Sequence, residues 1–221
     1  MPAHGRRVHR EPARGRLLPR RRGSVLWAAR LVGALGALGA LGAILTLTAP
    51  LGAEEVAVPV AVQANLIAKV SAYDRNFAQR AGSLVVTLVI VHPDDSESER
   101  NAAQLRKELG RLDTIVGLPH AEQSVTFTSG SQLGKLVKAR SASIVYVTTG
   151  FTRAELRSIG DALAGLSVLS VGALPGYVPN GVVLGFDLVS GKPKMLIDLT
   201  QAKRQSVAFS SEALKLMKVF E

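Results

Sequence analysis

Residues 84–91 read LVVTLVIV, a continuous apolar run of strand length, and such a run marks a strand buried on both faces within a parallel sheet. Ahead of it Val62, Leu66, Val70, Tyr73 and Phe77 recur at helical spacing, which predicts an amphipathic helix over residues 62–77. A parallel strand needs a crossover helix after it, and the next residues supply one. Ser96 and Glu99 have the spacing of a capping box, Arg106, Lys107 and Arg111 collect near the far end, and Ala102, Leu105, Leu109 and Leu112 form the apolar stripe.

The alternation continues. Residues 125–127 predict a short strand, 133–137 a short helix and 144–147 a second buried strand. Thr152 and Glu155 cap a helix with Leu156, Ile159 and Leu163 on its inner face, and residues 166–171 form the next strand. Strands alternating with helices give an α/β fold, a mostly parallel sheet with helices on both faces. The end changes character. Residues 182–189 and 194–199 are linked by Ser190, Gly191, Lys192 and Pro193, too short a connection for a parallel crossover, so they pair as an antiparallel hairpin. Along its first strand Val182, Leu184, Phe186 and Leu188 alternate with Val183, Gly185 and Asp187, which places that strand near a sheet edge with one wetter face. Phe209 and Leu214 hold the positions of a hydrophobic staple around a closing helix begun by Ser210.

Charge redraws the beginning of the chain. The net +10 suggests a nucleic-acid binder, but residues 1–53 hold nine arginines and one glutamate, leaving 18 basic and 16 acidic side chains, a net of +2, for residues 54–221. With few aromatics as well, no stacking platform for nucleic acid is present, and nucleic acid is excluded as a partner. Eight arginines in the first 22 residues precede an apolar stretch in which residues 31–53 carry no charge. That is the order of an export signal, and its length matches the roughly 20 residues of a membrane span. Residues 1–53 are therefore read as an Arg-rich leader, either cleaved near Ala53 or retained with residues 24–53 in the inner membrane and the N-terminus inside. Residues 54–221 are read as one domain outside the cytoplasm, large enough for its own core. The chain has no cysteine, which excludes disulfides, thiolate metal sites and a cysteine nucleophile.

The search for chemistry turns to the loops after the strands, where such sheets hold ligands. His92, Pro93, Asp94 and Asp95 follow the first long strand; they offer a base beside carboxylates, and equally a turn and a helix cap. Thr148, Thr149 and Gly150 follow the second, and Tyr177 stands between Pro175 and Pro179 after the third, as a lid or a contact residue. His120, after Pro119, is read as an exposed loop residue. Residues 129–135 (SGSQLGK) have three residues between their glycines where a phosphate loop has four, and Leu136 follows the lysine, so they are read as a helix capped by Ser129 or Ser131. No dinucleotide-binding glycine motif and no serine nucleophile elbow is present. No catalytic set, metal site or cofactor is assigned.

The closing segment carries a pattern: Gly181, then Val182 to Phe186, Gly191 and Lys192, Asp198 and Leu199, Ala202 and Lys203, and Ser210 and Ser211 before Leu214 and Leu216. It resembles the tail of the YfiR-like family of periplasmic proteins. The resemblance implies an α/β fold related to one lobe of a periplasmic binding protein, a periplasmic address and no enzymatic activity. It also implies a role like that of the family's namesake, which restrains an inner-membrane diguanylate cyclase by binding its periplasmic part. Asp198 stands where the family usually has Asn, the Trp-Pro often found after the first helix is missing around Tyr73 and Asp74, and no cysteine is available for redox control. In physical terms Asp198 caps the helical turn around Ala202, and Ser210 caps the last helix.

The resulting expectation is a non-catalytic cyclic-di-GMP signalling regulator or adaptor that binds an envelope or inner-membrane protein through His92, Asp94, Thr148, Thr149 and Tyr177. A small-ligand binding module is the alternative. The export assignment has a direct test: alkaline phosphatase joined after Glu221 should be active, and a reporter confined to cytoplasmic function should be silent there. The reverse pattern removes the leader. N-terminal sequencing of the native protein then distinguishes cleavage near Glu54 from retention of the span.

Overall fold

The computed structural model describes residues 57–221, so the expected leader and the start of the domain at residue 54 lie outside the described residues. The first helix, α1 (Val60–Ser71), and a short second one, α2 (Phe77–Ala81), lead into β1 (Val85–Val91). Then follow α3 (Ser96–Leu109), β2 (His120–Thr126), α4 (Gly130–Ala139), β3 (Ile144–Val147), α5 (Arg153–Leu163) and β4 (Leu169–Gly172). A 3-10 turn (Pro175–Asn180) precedes β5 (Leu184–Val189) and β6 (Lys192–Asp198), and α6 (Leu199–Arg204), α7 (Ser211–Lys215) and β7 (Met217–Phe220) end the chain.

Seven strands form one sheet in the order β2-β1-β3-β4-β5-β6-β7. All neighbours are parallel except β5 and β6, which pair antiparallel across Ser190 and Gly191, both at positive φ as a two-residue hairpin turn requires. The mostly parallel α/β fold with a C-terminal hairpin thus holds. Every residue of β1 is buried, and successive side chains feed opposite cores: Val85, Val89 and Val91 pack with α1 and α3, whereas Val86, Leu88 and Ile90 pack with α4 and α5.

Several elements differ from the sequence expectation. The helix expected over residues 62–77 is two helices with an elbow between; α1 buries Val60, Gln63, Ala64, Ile67 and Val70, and Tyr73, past its end, is half exposed. The N-cap of α3 is Asp95 rather than Ser96, because Asp95 keeps an extended backbone and its carboxylate accepts from the amides of Glu97 and Ser98. β4 starts at Leu169, since residues 165–168 turn back to bond Arg204 and Gln205. β5 is not near an edge: β6 and β7 lie outside it. The closing helix is only five residues long, and the chain ends on an edge strand parallel to β6.

His120 is the largest displacement. It opens β2, its side chain is nearly buried, and its ring lies between the Leu112 carbonyl (Nε2, 2.8 Å) and Glu122 Oε1 (Nδ1, 2.6 Å). Burial pulls its pKa down, but the Leu112 carbonyl and the Glu122 carboxylate together outweigh that and hold it above the ordinary value. An apolar-run search finds only the end of β2, because an edge strand is half covered and needs no continuous apolar run.

The elbow between α1 and α2 is fixed by Asp74. Its buried carboxylate accepts from Arg80 Nη1 at 2.6 Å, from the Asn76 amide at 3.1 Å and from the Ala208 amide at 3.0 Å. Replacing Asp74 by Ala strands these donors and should destabilise the protein by about 3 kcal/mol in urea unfolding. A loss below about 1 kcal/mol would show that the elbow is held by apolar packing alone.

Candidate functional site

β1 sends its crossover through α3 to β2 on one side, and β2 returns through α4 to β3 on the other, so the connections diverge between β1 and β3. This is the switch point of the sheet, where a crevice opens beyond the carboxyl ends of the strands. The residues 92–95 and 148–152 flank it, which brings His92, Asp94, Thr148 and Thr149 to one end of the molecule.

The two loops are bonded to each other. The His92 amide donates to Ser98 Oγ at 2.8 Å, Ser98 Oγ shares a short hydrogen bond with Thr148 Oγ1, and Thr148 Oγ1 donates to the Ile90 carbonyl. Thr148 and Ser98 are fully buried, so their hydroxyls hold the crevice together from below. The His92 ring stands edge-on to Phe151 at 5.2 Å, with Nε2 3.3 Å from Glu155 Oε1. Asp95 caps α3 and extends its second oxygen over Gly150, whose φ of +93° and contact with that carboxylate leave no place for a Cβ. Asp94 is exposed at φ +55°, a conformation that Asp tolerates better than most residues. Thr149 is half-buried, and its Oγ1 has no hydrogen-bond partner among the described residues.

Tyr177 is placed differently from the others. It is 5% exposed, and its hydroxyl accepts from the Phe151 amide at 3.0 Å, so it supports the Phe151 loop from within the core. The positions of the closing pattern all have local structural environments. Gly181, at φ +133°, lies against the Leu156 carbonyl and Gly160, so α5 meets the chain backbone to backbone. Phe186 and Ala202 are buried, Leu214 packs against the core, and Gly191 turns the hairpin. Asp198 accepts from the Gln201 amide at 2.7 Å at the start of α6, and Ser210 caps α7, whose first residue is the exposed Ser211.

Sequence reasoning missed a buried polar link at the same end of the sheet. Tyr146 on β3 donates to Gln63 Oε1 at 2.9 Å, and Gln63 Nε2 donates to the carbonyls of Val58 at 2.7 Å and Ala173 at 3.2 Å. Burial pushes the Tyr146 phenol far above its ordinary range. The signal was a glutamine on the inward face of α1, and it becomes legible only once its partner strand is known.

Electrostatically, acidic side chains predominate at the crevice mouth, with Arg153 at the first position of α5 the exposed basic residue beside them. The N-termini of α3 and α5, which would otherwise attract anions, are occupied by Asp95 and by Glu155 in a complete capping box with Thr152. Asp94 and Glu97 add exposed carboxylates. Among the described residues no group of three or more His, Asp or Glu side chains could hold a metal ion. The arrangement suits contact with a basic surface and disfavours a phosphate. Glu155 is partly desolvated, which raises its pKa, but hydrogen bonds from the Thr152 hydroxyl and amide and the nearby His92 bring it below the ordinary glutamate value. A depressed carboxylate contributes stability above its unfolded pKa and loses it as pH falls through the folded value. Wild-type protein should therefore lose more stability on acidification from about pH 6 to pH 3 than Glu155→Ala, measured by urea unfolding at each pH. Parallel pH profiles would overturn this role.

The family model described as YfiR/HmsC-like matches residues 61–218. A search of curated proteins finds no match to the chain. Among solved structures, a conserved domain protein from Vibrio cholerae O1 biovar El Tor is 14% identical with a TM-score of 0.49, covering 76% of this chain and 62% of its own. A ligand-free, open substrate-binding protein with adhesive properties from Clostridium difficile is 10% identical with a TM-score of 0.49, covering 66% and 57%. The ABC domain in complex with L-Trp from Streptococcus pneumonia is 9% identical with a TM-score of 0.47, covering 68% and 62%. The chain thus spans less than two thirds of the length of each of these proteins. The family match takes in every described element from α1 to the start of β7, and the chain belongs to the YfiR/HmsC-like family, a family of periplasmic regulatory proteins.

Proposed function

We propose that this protein is a non-catalytic regulator that docks on the periplasmic part of an inner-membrane signalling enzyme, of the diguanylate cyclase class, through the loops at the β1 and β3 ends. Family membership supplies the periplasmic regulatory role. The observation that carries the docking surface is the predominantly acidic crevice mouth, in which both helix N-termini are filled by the chain's own carboxylates and Asp94 and Glu97 face solvent. A basic patch on the partner complements it. Residues 1–53 act as the export leader in this reading. Among the described residues no helix is long and apolar enough to cross a membrane.

The test is a double charge reversal, Asp94→Lys with Glu97→Lys, at two exposed positions. The melting temperature should hold within a few degrees, while co-purification with the membrane enzyme falls at least about tenfold and surface attachment changes as it does on gene deletion. Tyr177 is left intact, because truncating a buried aromatic would confuse loss of binding with loss of fold. Undiminished co-purification by the folded double variant would move the docking surface elsewhere, and deletion without effect on cyclic-di-GMP-dependent behaviour would remove the cyclase as partner.

A further inference from the structure

Beside the crevice, on the face of the sheet that carries α4 and α5, lies a groove of about 400 Å³ between α4 and the end of the edge strand β2. Val125, Phe127, Leu133 and Leu136 give it apolar walls, and Thr126, Thr128 and Ser129 place hydroxyl-bearing residues around it. Lys135 is the one charged residue lining it; it is exposed at the rim and makes no ion pair among the described residues. No carboxylate balances that charge nearby on the helix: α4 contains Lys135 and Lys138 and no acidic residue. The volume lies at the small end of the range for ligand sites, which characteristically combine an apolar wall with a few polar groups.

We infer that this groove binds a small organic monoanion, an apolar body seated against Phe127 and Leu136 with its carboxylate directed to Lys135. Size and charge select that occupant. A groove of this volume accommodates a single ring or a short chain, the exposed ammonium of Lys135 at its rim attracts a carboxylate, and a cation would be repelled by it. The walls are continuous with the crevice: the Phe127 ring meets Phe151 edge-on at 5.5 Å, and Phe151 meets His92 in the same way. The inference is independent of the protein partner, since binding is measured with the regulator alone.

The probe is 3-phenylpropionate, compared with the neutral 3-phenylpropan-1-ol, titrated calorimetrically into the full chain. Saturable one-to-one binding of the acid is expected, and Lys135→Ala should weaken it about fivefold while leaving the alcohol unchanged. Ala139→Phe introduces a ring at an exposed lining position and should weaken both ligands at least about tenfold, with the melting temperature of either variant unchanged. Absence of saturable binding, or acid binding indifferent to Ala139→Phe, overturns the site. A Lys135→Ala effect equal for acid and alcohol overturns the anionic ligand class.

Discussion

The carboxylate of Asp74 is the constraint on which the assembly of the two chain ends depends. It lies at the elbow between α1 and α2, yet its donors come from both ends of the fold: the Asn76 amide and Arg80 beside it, and the Ala208 amide more than a hundred residues away. Arg80 in turn donates to the Ser206 carbonyl, and the backbone bonds of Arg75 to Ala208 and of Ser210 to Tyr73 run alongside. A carboxylate buried at such a place is stable only while all its donors are present, which makes the connection cooperative. The segment it holds leads directly into α7 and β7, so the outer edge of the sheet is positioned from the elbow between α1 and α2.

The other end of the sheet is fixed by neutral hydrogen bonds. Ser98 and Thr148 join the β1 and β3 loops, and Tyr146 and Gln63 join β3 to α1 and, through the Ala173 carbonyl, to the end of β4. Three connections that diverge at the switch point are thereby made into one rigid rim. A surface of that kind recognises a partner with little ordering cost. Its acidic character has a simple origin: α3 and α5 each place a carboxylate of their own at their first turn, Asp95 and Glu155, which stabilises the helix and also determines the charge shown outward.

The His92 side chain illustrates why motif and geometry must be considered together. By sequence it is a histidine beside two aspartates, the composition of a base or a metal ligand. In the fold Asp95 points back to the α3 amides and Gly150, and the ring instead meets Phe151 and Glu155 from another loop. Its surroundings are those of a ring held in a rim.

Much of the architecture was legible without coordinates. The run at residues 84–91 could be satisfied only by burial on both faces, Thr152 and Glu155 carried a complete capping box in their spacing, and a link too short for a crossover forced the hairpin. These are local constraints, decided by side-chain period, cap chemistry and chain length. What the sequence left open were matters of partnership between distant segments. His120 belongs to an edge strand because β1 lies beside it, Asp74 and Gln63 are buried because residues 208 and 146 reach them, and β7 exists because β6 offers an open edge. The groove beside Lys135 forms only where α4 lies along β2. Each depends on contacts that chain connectivity does not specify, and polar residues with distant partners look the same in sequence as polar residues facing water.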